Sequence, residues 1–217
     1  MKPFDPPSSE RSPTRRRAKT KPALLEAGLK LLAERPVDSL SIDEIVAAAG
    51  VAKGSFFYHF TDKQSFAREI AASVRAEIES TIALVNLGIE DPARRVARGI
   101  GQFVNFALRS PDKAAMIITA DWRSVDPAYS LNAGLRADID LGLSAGRFDC
   151  PQRDAAMLNL IGVTNLLISK VLFEHLSVAD TRSLFRSTLA FAFRGLGLAV
   201  AEAEALLDVE AGEILRG

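Results

Sequence analysis

The sequence predicts an all-α protein, with an N-terminal three-helix unit followed by a larger C-terminal helical part. Three observations carry this. Apolar residues recur at helical spacing along nearly the whole chain of 217 residues. Helix-start signals punctuate it, among them Ser41-Ile42-Asp43-Glu44 and Asp91-Pro92. No run of alternating strand residues and no internal repeat is present.

The elements follow in order. Residues 1 to about 14 hold Pro3, Pro6, Pro7 and Pro13 among serines and charges, so residues 1–16 read as a flexible basic arm. From Lys21 a helix places Leu24, Leu25, Leu29 and Leu32 on one face and stops at Arg35-Pro36. Ser41 to Glu44 is a capping-box pattern that opens a short helix to about Ala49. Gly50 makes a tight turn, and a third helix runs from about Ala52 to His59. Thr61-Asp62-Lys63 breaks it before a long helix to about Asn86. Asp91-Pro92 is an N-cap with proline at the first helical position, and Val96, Ile100, Phe103, Val104, Ala107 and Leu108 follow at helical spacing. Ser110-Pro111 and Asp126-Pro127 are two further starts. A helix of about 152–175, apolar nearly all round, precedes one of about 180–196 and a shorter acidic one. The expected divisions are 1–16, 17–66 and 67–217.

Composition is that of an ordinary soluble globular protein, and the chain is long enough to bury a real core. The single cysteine, Cys150, forms no internal disulfide and no metal-ligand cluster, which fits a reducing cytoplasm; no metal and no cofactor are expected. The longest charge-free stretch, Ala155 to Ser169, falls short of the roughly 18 apolar residues of a membrane span, and no signal-peptide apolar region opens the chain. A cytoplasmic protein is expected. Net charge is zero, but residues 1–66 carry 11 Lys/Arg against 8 Asp/Glu, with Arg15, Arg16 and Arg17 in the basic arm. Such asymmetry between two parts of a chain points to a polyanion partner for one of them.

The stretch SIDEIVAAAGVAKGSFFYHFTDK ends in five consecutive rings: Phe56, Phe57, Tyr58, His59 and Phe60. A surface helix turns one stripe inward, so they cannot all be core. Projected at about 100° per residue from Phe56, Phe60 lies about 40° away and shares its inward face. Tyr58 falls near 200°, Ser55 near 260° and Gly54 near 160°, with Phe57 and His59 flanking them and Lys53 at the helix start. This outward surface combines small, hydroxylic, aromatic and cationic groups without a carboxylate. Glycine admits a phosphate close to the backbone, and hydroxyls donate to phosphate oxygens or base edges. Two short helices joined by a tight glycine turn form a helix-turn-helix, whose second helix enters the major groove.

The segment Leu40 to Phe66 resembles the DNA-binding signature of the tetracycline-repressor (TetR) family: Ser41 opening the second helix, Ala49-Gly50-Val51 at the turn, Lys53-Gly54-Ser55 entering the recognition helix, then Phe60 and Lys63. The likeness covers about Lys21 to Ile70. It implies phosphate contacts at Ser41 and Lys63, and base or backbone contacts at Lys53, Gly54, Ser55, Phe57, Tyr58 and His59. It also implies a homodimer on a near-palindromic DNA operator, with a variable ligand-binding domain, acting as a repressor that a small-molecule inducer releases. Three positions depart from the pattern: Phe57 replaces the usual tyrosine, Ala52 the usual serine, and Arg35-Pro36 the usual glycine. With the resemblance, Arg15, Arg16 and Arg17 become candidates for groove or backbone contact.

Beyond residue 66 no motif carries chemistry. The helix of 152–175, with Leu158, Ile161, Leu166, Ile168 and Leu172 around its circumference, exceeds what one subunit's core needs. With Leu184, Phe185, Leu189, Phe191, Phe193 and Leu196 of the next helix it suits a four-helix bundle across a two-fold axis. A ligand cavity would be lined by Phe103, Phe106, Met116, Trp122 and Tyr129, with Asn105, Asp121 and Arg123 as polar anchors. Two other readings compete. Gly142-Leu143-Ser144-Ala145-Gly146 matches a hydrolase nucleophile elbow, with Asp154 and His175 following in order, but that motif needs a strand before the turn. A helical protein-binding adaptor would leave the basic arm and the outward surface unexplained.

Overall fold

A computed structural model describes residues 13–120 and 132–215, with side chains for 19–118 and 132–215. All the regular elements among them are helical, as expected. The N-terminal unit contains α1 (Pro13–Glu34), a single 3-10 turn (Val37–Ser39), α2 (Ile42–Ala49) and α3 (Lys53–His59). It continues into α4 (Lys63–Val85), α5 (Pro92–Arg109) and α6 (Pro111–Ala120), and then α7 (Ala133–Ser144), α8 (Arg153–Phe173), α9 (Val178–Gly195) and α10 (Val200–Ile214). The Asp126-Pro127 start signal lies outside the described residues.

The first helix begins at Pro13, earlier than the apolar pattern from Lys21 suggests, so Pro13 to Arg16 of the expected arm are helical. Proline is tolerated at a first helical position, where its missing N–H would have no partner. Pro22, inside the helix, removes one backbone bond without ending it.

Local chemistry sets the other boundaries. Asp62 caps α4 by accepting from the Ser65 amide at 2.6 Å, and Asp91 caps α5 by accepting from Ala93 at 3.0 Å. The Ser65 amide bond holds the Asp62 carboxyl below its usual value against the desolvation that opposes it. α4 runs unbroken across the expected domain boundary at 66/67 and packs against α1, α5 and α6. α5 is the central post, in contact with α4, α6, α7, α8, α9 and α10. Arg94 and Arg98 of α5 both reach the fully buried Glu210 of α10, each at 2.7 Å, and Arg98 Nε donates to Val85 O at 2.8 Å. That one guanidinium joins the end of α4 to α5 and α10.

By length and mean hydropathy (1.7) α8 could cross a membrane, which its short charge-free run did not suggest. Within the fold it packs on α5, α6, α7 and α9 and buries Met157, Leu160, Ile161, Leu167 and Ile168. Its other side exposes Leu158, Leu166 and Phe173, and the neighbouring α9 exposes Phe191. Phe173 and Phe191 are 77% and 75% exposed, an apolar band that no described element covers.

The segment resembling a nucleophile elbow is the end of α7. Gly146, at φ 65, closes the helix: its N–H donates to Leu143 O, and Arg147 N donates to Gly142 O at 2.8 Å. This is a Schellman turn, which explains one glycine of the pattern. Gly142 is buried under the Phe148 ring, where a Cβ would overlap it. Ser144 Oγ donates back to Leu141 O at 3.0 Å. Helix, not strand, leads into the turn, so the required strand–turn–helix context is missing.

Candidate nucleic-acid interface

Ser41 sets the start of α2. Its Oγ accepts from Glu44 N at 3.1 Å, and Glu44 Oε2 accepts from Ser41 N at 2.8 Å, completing the capping box. Arg35 Nη2 lies 2.8 Å from Glu44 Oε1, tying the end of α1 to this cap. The Arg35 hydrogen bond first, and the Ser41 bonds after it, pull the Glu44 carboxyl from 4.5 down to about 2. The sequence reading counted Arg35 only as a departure from a family pattern; the structure gives it a partner nine residues away.

The turn into α3 is another Schellman closure. Gly50 is left-handed at φ 64, its N–H donates to Ala47 O, and Val51 N donates to Val46 O at 3.0 Å. Ala52 begins α3 with no side-chain cap. The absent serine therefore leaves the first turn to backbone bonds, such as Ser55 N to Ala52 O at 2.9 Å.

The five rings divide as the projection requires. Phe56 is fully buried, with ring centroids of Phe60 and Phe66 both at 5.4 Å. Phe60 is 4% exposed and carries the Lys21 ammonium 5.7 Å from its centroid. Tyr58 is 68% and Phe57 53% exposed. His59 and Ser55 are half-buried, and the Tyr58 and His59 rings meet edge-on at 4.9 Å. Gly54 is exposed, with open space where a Cβ would sit. Backbone and side chains on this side therefore lie open to a partner.

Two lysines are less available than the sequence suggested. Lys53 Nζ sits 2.8 Å from Asp43 of α2, so a carboxylate does border the face expected to lack one. Lys63 Nζ donates to Asp38 O at 2.8 Å and Leu40 O at 3.0 Å. It staples the start of α4 to the 3-10 turn and keeps at most one of its three donors for a phosphate. Arg15, Arg16 and Arg17 lie in the first turns of α1, and their side chains are outside the described residues.

A second feature is a cavity of about 590 Å³ between α4, α5, α6, α7 and α8. Phe103 lines it, as expected, but Phe106 and Met116 do not. Phe106 is buried elsewhere on α5, and Met116 is fully buried beside a smaller cavity of about 230 Å³ that Leu32, Val37 and Gln64 also line. Asn105 is not among the lining residues, while Trp122, Tyr129, Asp121 and Arg123 lie outside the described residues. The polar group that sequence reasoning missed is Arg95, whose Nε is 2.5 Å from Asp138 Oδ1 at the cavity edge. Burial pushes the Asp138 carboxyl up, and Arg95 partly offsets this.

Residues 24–70 match the model of "Bacterial regulatory proteins, tetR family". The chain belongs to the tetR family. It is 40% identical over 68 residues to the transcriptional regulator AcuR of Cereibacter sphaeroides, a match covering 28% of this chain and 31% of AcuR. The similarity to such curated relatives thus spans under a third of their length. Solved structures extend it to the whole fold. A tetR-family regulator from Shewanella sp. PV-4 superposes with a TM-score of 0.70 at 19% identity, covering 82% of this chain and 97% of that one. RolR in complex with resorcinol does so with a TM-score of 0.64 at 24% identity, covering 89% and 95%. At these identities the likeness establishes the shared fold.

Proposed function

We propose that this protein is a cytoplasmic, sequence-specific DNA-binding transcriptional repressor, released from its operator by a small molecule. The observation that carries this is the outward side of α3. Gly54, Phe57 and Tyr58 are exposed on a helix whose inner side is locked by Phe56, and which a tight turn joins to a capped α2. In this reading residues 17–66 bind DNA and 67–217 regulate and dimerise. Ser41 and Lys63 contact phosphates, while Lys53, Gly54, Ser55, Phe57, Tyr58 and His59 meet bases or backbone. Arg15, Arg16 and Arg17 follow the neighbouring groove.

The exposed band of Leu158, Leu166, Phe173 and Phe191 supports a homodimer through α8 and α9. Two such helices from each subunit bury the band in a four-helix bundle, and the resulting two-fold axis demands a near-palindromic operator. The cavity beside α4 supports an effector site, and RolR, a structural neighbour, is described with the small molecule resorcinol.

Gel retardation and footprinting on the DNA flanking the protein's own gene test the proposal. The expected footprint has two half-sites about one helical turn, or a multiple, apart, with affinity falling steeply as salt rises. A footprint on one asymmetric half-site contradicts dimeric recognition, and no specific retention on any fragment overturns the DNA-binding reading.

A further inference from the structure

The lining of the large cavity narrows the chemistry of its occupant. Ile82 of α4, Val96, Ile100 and Phe103 of α5, Ile117 of α6 and Ile161 of α8 supply apolar wall. At about 590 Å³ the space is that of a drug-sized ligand site.

One end is polar and already internally neutralised. Arg95 donates from Nε to Asp138 Oδ1 at 2.5 Å, and its Nη1 reaches Asn86 O and Ile89 O at 3.4 Å each. An anionic ligand would meet the Asp138 carboxylate without a spare cation. A cationic ligand would find that carboxylate engaged by Arg95. Either would bury a charge without a partner, which is costly in such a setting. The occupant should therefore be uncharged.

The remaining polar atoms at the cavity are acceptors. Asn86 is 5% exposed, and its Nδ2 donates to Arg95 O at 3.2 Å. That bond fixes the amide so that Oδ1 is the atom left over, buried and without a hydrogen-bond partner. Such an orphan costs about 1–3 kcal/mol until something donates to it. Thr164, also buried, donates its hydroxyl to Leu160 O at 2.6 Å, so towards the cavity it has only lone pairs to give. Asp138 adds a carboxylate of which Arg95 holds one oxygen.

We infer that the cavity takes an uncharged, mostly apolar molecule whose hydroxyl groups donate to Asn86 and Asp138, and that it disfavours carboxylates. This rests on the reading of the cavity as the effector site. The Arg95–Asp138 pair acts as a charge filter: while both members are present, neither sign of ligand charge is welcome.

Three probes that differ only in their polar head test the inference: 4-butylphenol, 4-butylanisole and 4-butylbenzoate, titrated by calorimetry into the full-length protein. The phenol should bind about tenfold or more tightly than the anisole, which cannot donate, and than the benzoate. Asp138→Asn, nearly isosteric, leaves the Arg95 charge uncompensated and should reverse the order so that the benzoate binds best. Ile100→Trp, which fills the cavity, should abolish binding of all three, and the melting temperature and operator affinity without probe report whether each variant folds. Equal binding of phenol and anisole, tightest binding of the benzoate by the unsubstituted protein, or no binding by any probe overturns the inference. Gel retardation without probe is read separately. Lost DNA binding with the expected probe order refutes the repressor reading alone, and intact DNA binding with the wrong order refutes the ligand class alone.

Discussion

Replacing Tyr58 and Phe56 in turn by alanine should separate recognition from folding within one seven-residue helix. The two side chains are two positions apart and point in nearly opposite directions. Tyr58 is 68% exposed, so truncating it uncovers little apolar surface and should change stability by no more than about 0.5 kcal/mol. If its ring or hydroxyl meets a base edge, operator affinity should fall by about 1–3 kcal/mol, roughly 5- to 150-fold. Phe56 has no exposed surface and packs against Phe60, Phe66 and Phe57, with centroids 5.4, 5.4 and 5.6 Å away. Its removal should cost about 3–5 kcal/mol, a large part of the roughly 5–15 kcal/mol of a typical domain. Urea unfolding followed by circular dichroism measures the stabilities, and quantitative gel retardation measures the affinities. The expected pattern is crossed: the Tyr58 variant folds normally and binds poorly, while the Phe56 variant loses binding in proportion to its unfolded fraction. Unchanged operator affinity in the Tyr58 variant, or a stability loss there near that of Phe56, would refute the assignment of the outward side.

Asp43→Asn should strengthen DNA binding and steepen its salt dependence by about one ion, because it frees Lys53 for a phosphate; a salt titration in gel retardation checks this. Leu166→Glu together with Phe191→Glu should give a folded monomer in sedimentation, since both residues are largely exposed within the subunit; an unaltered dimer places the interface elsewhere. Glu44 has its carboxyl depressed to about 2 by Arg35 and Ser41, so its contribution is fully present above about 4.5 and is lost as pH falls towards 2. Glu44→Gln keeps a capping side chain but loses the Arg35 ion pair. It should flatten that acid limb in a pH series of melting temperatures, and an identical limb would show that the depression does not operate.

What could be read from the sequence was what local chemistry decides. The capping box needs only Ser41 and Glu44, three residues apart, and the Gly50 turn needs one residue able to take a positive φ. The ring assignment needed only the helical repeat, because Phe56 and Phe60 share a face with no reference to the rest of the fold. The start of α1 was missed for the converse reason. Thr14 to Lys21 is polar, so no apolar stripe marks it as helix. The cavity was harder still. Arg95 and Asp138 are 43 residues apart, and Arg94 and Glu210 are 116 apart, so nothing short of the folded arrangement pairs them. The predicted lining favoured aromatics, whereas aliphatic residues and one ion pair form most of the described wall. Met116, chosen for that lining, faces a different cavity altogether.

The disposition of charge around the helix-turn-helix bears on how affinity and specificity divide. Between residues 19 and 66, Lys21 pairs with Glu69, Lys30 with Glu26, Arg35 with Glu44 and Lys53 with Asp43, while Lys63 holds two carbonyls. A cation beside a carboxylate projects little field beyond the screening length, so this body attracts a phosphate backbone weakly from a distance. Contacts by Gly54, Ser55, Phe57 and Tyr58, by contrast, exist only when the surfaces meet and the base edges fit. The salt-dependent, sequence-blind part of binding then falls mainly to Arg15, Arg16 and Arg17 at the start of α1, doubled in a dimer. An arrangement of this kind keeps non-specific association low while leaving the short-range contacts intact, and the ratio between the two decides whether a regulator finds its operator among competing sites.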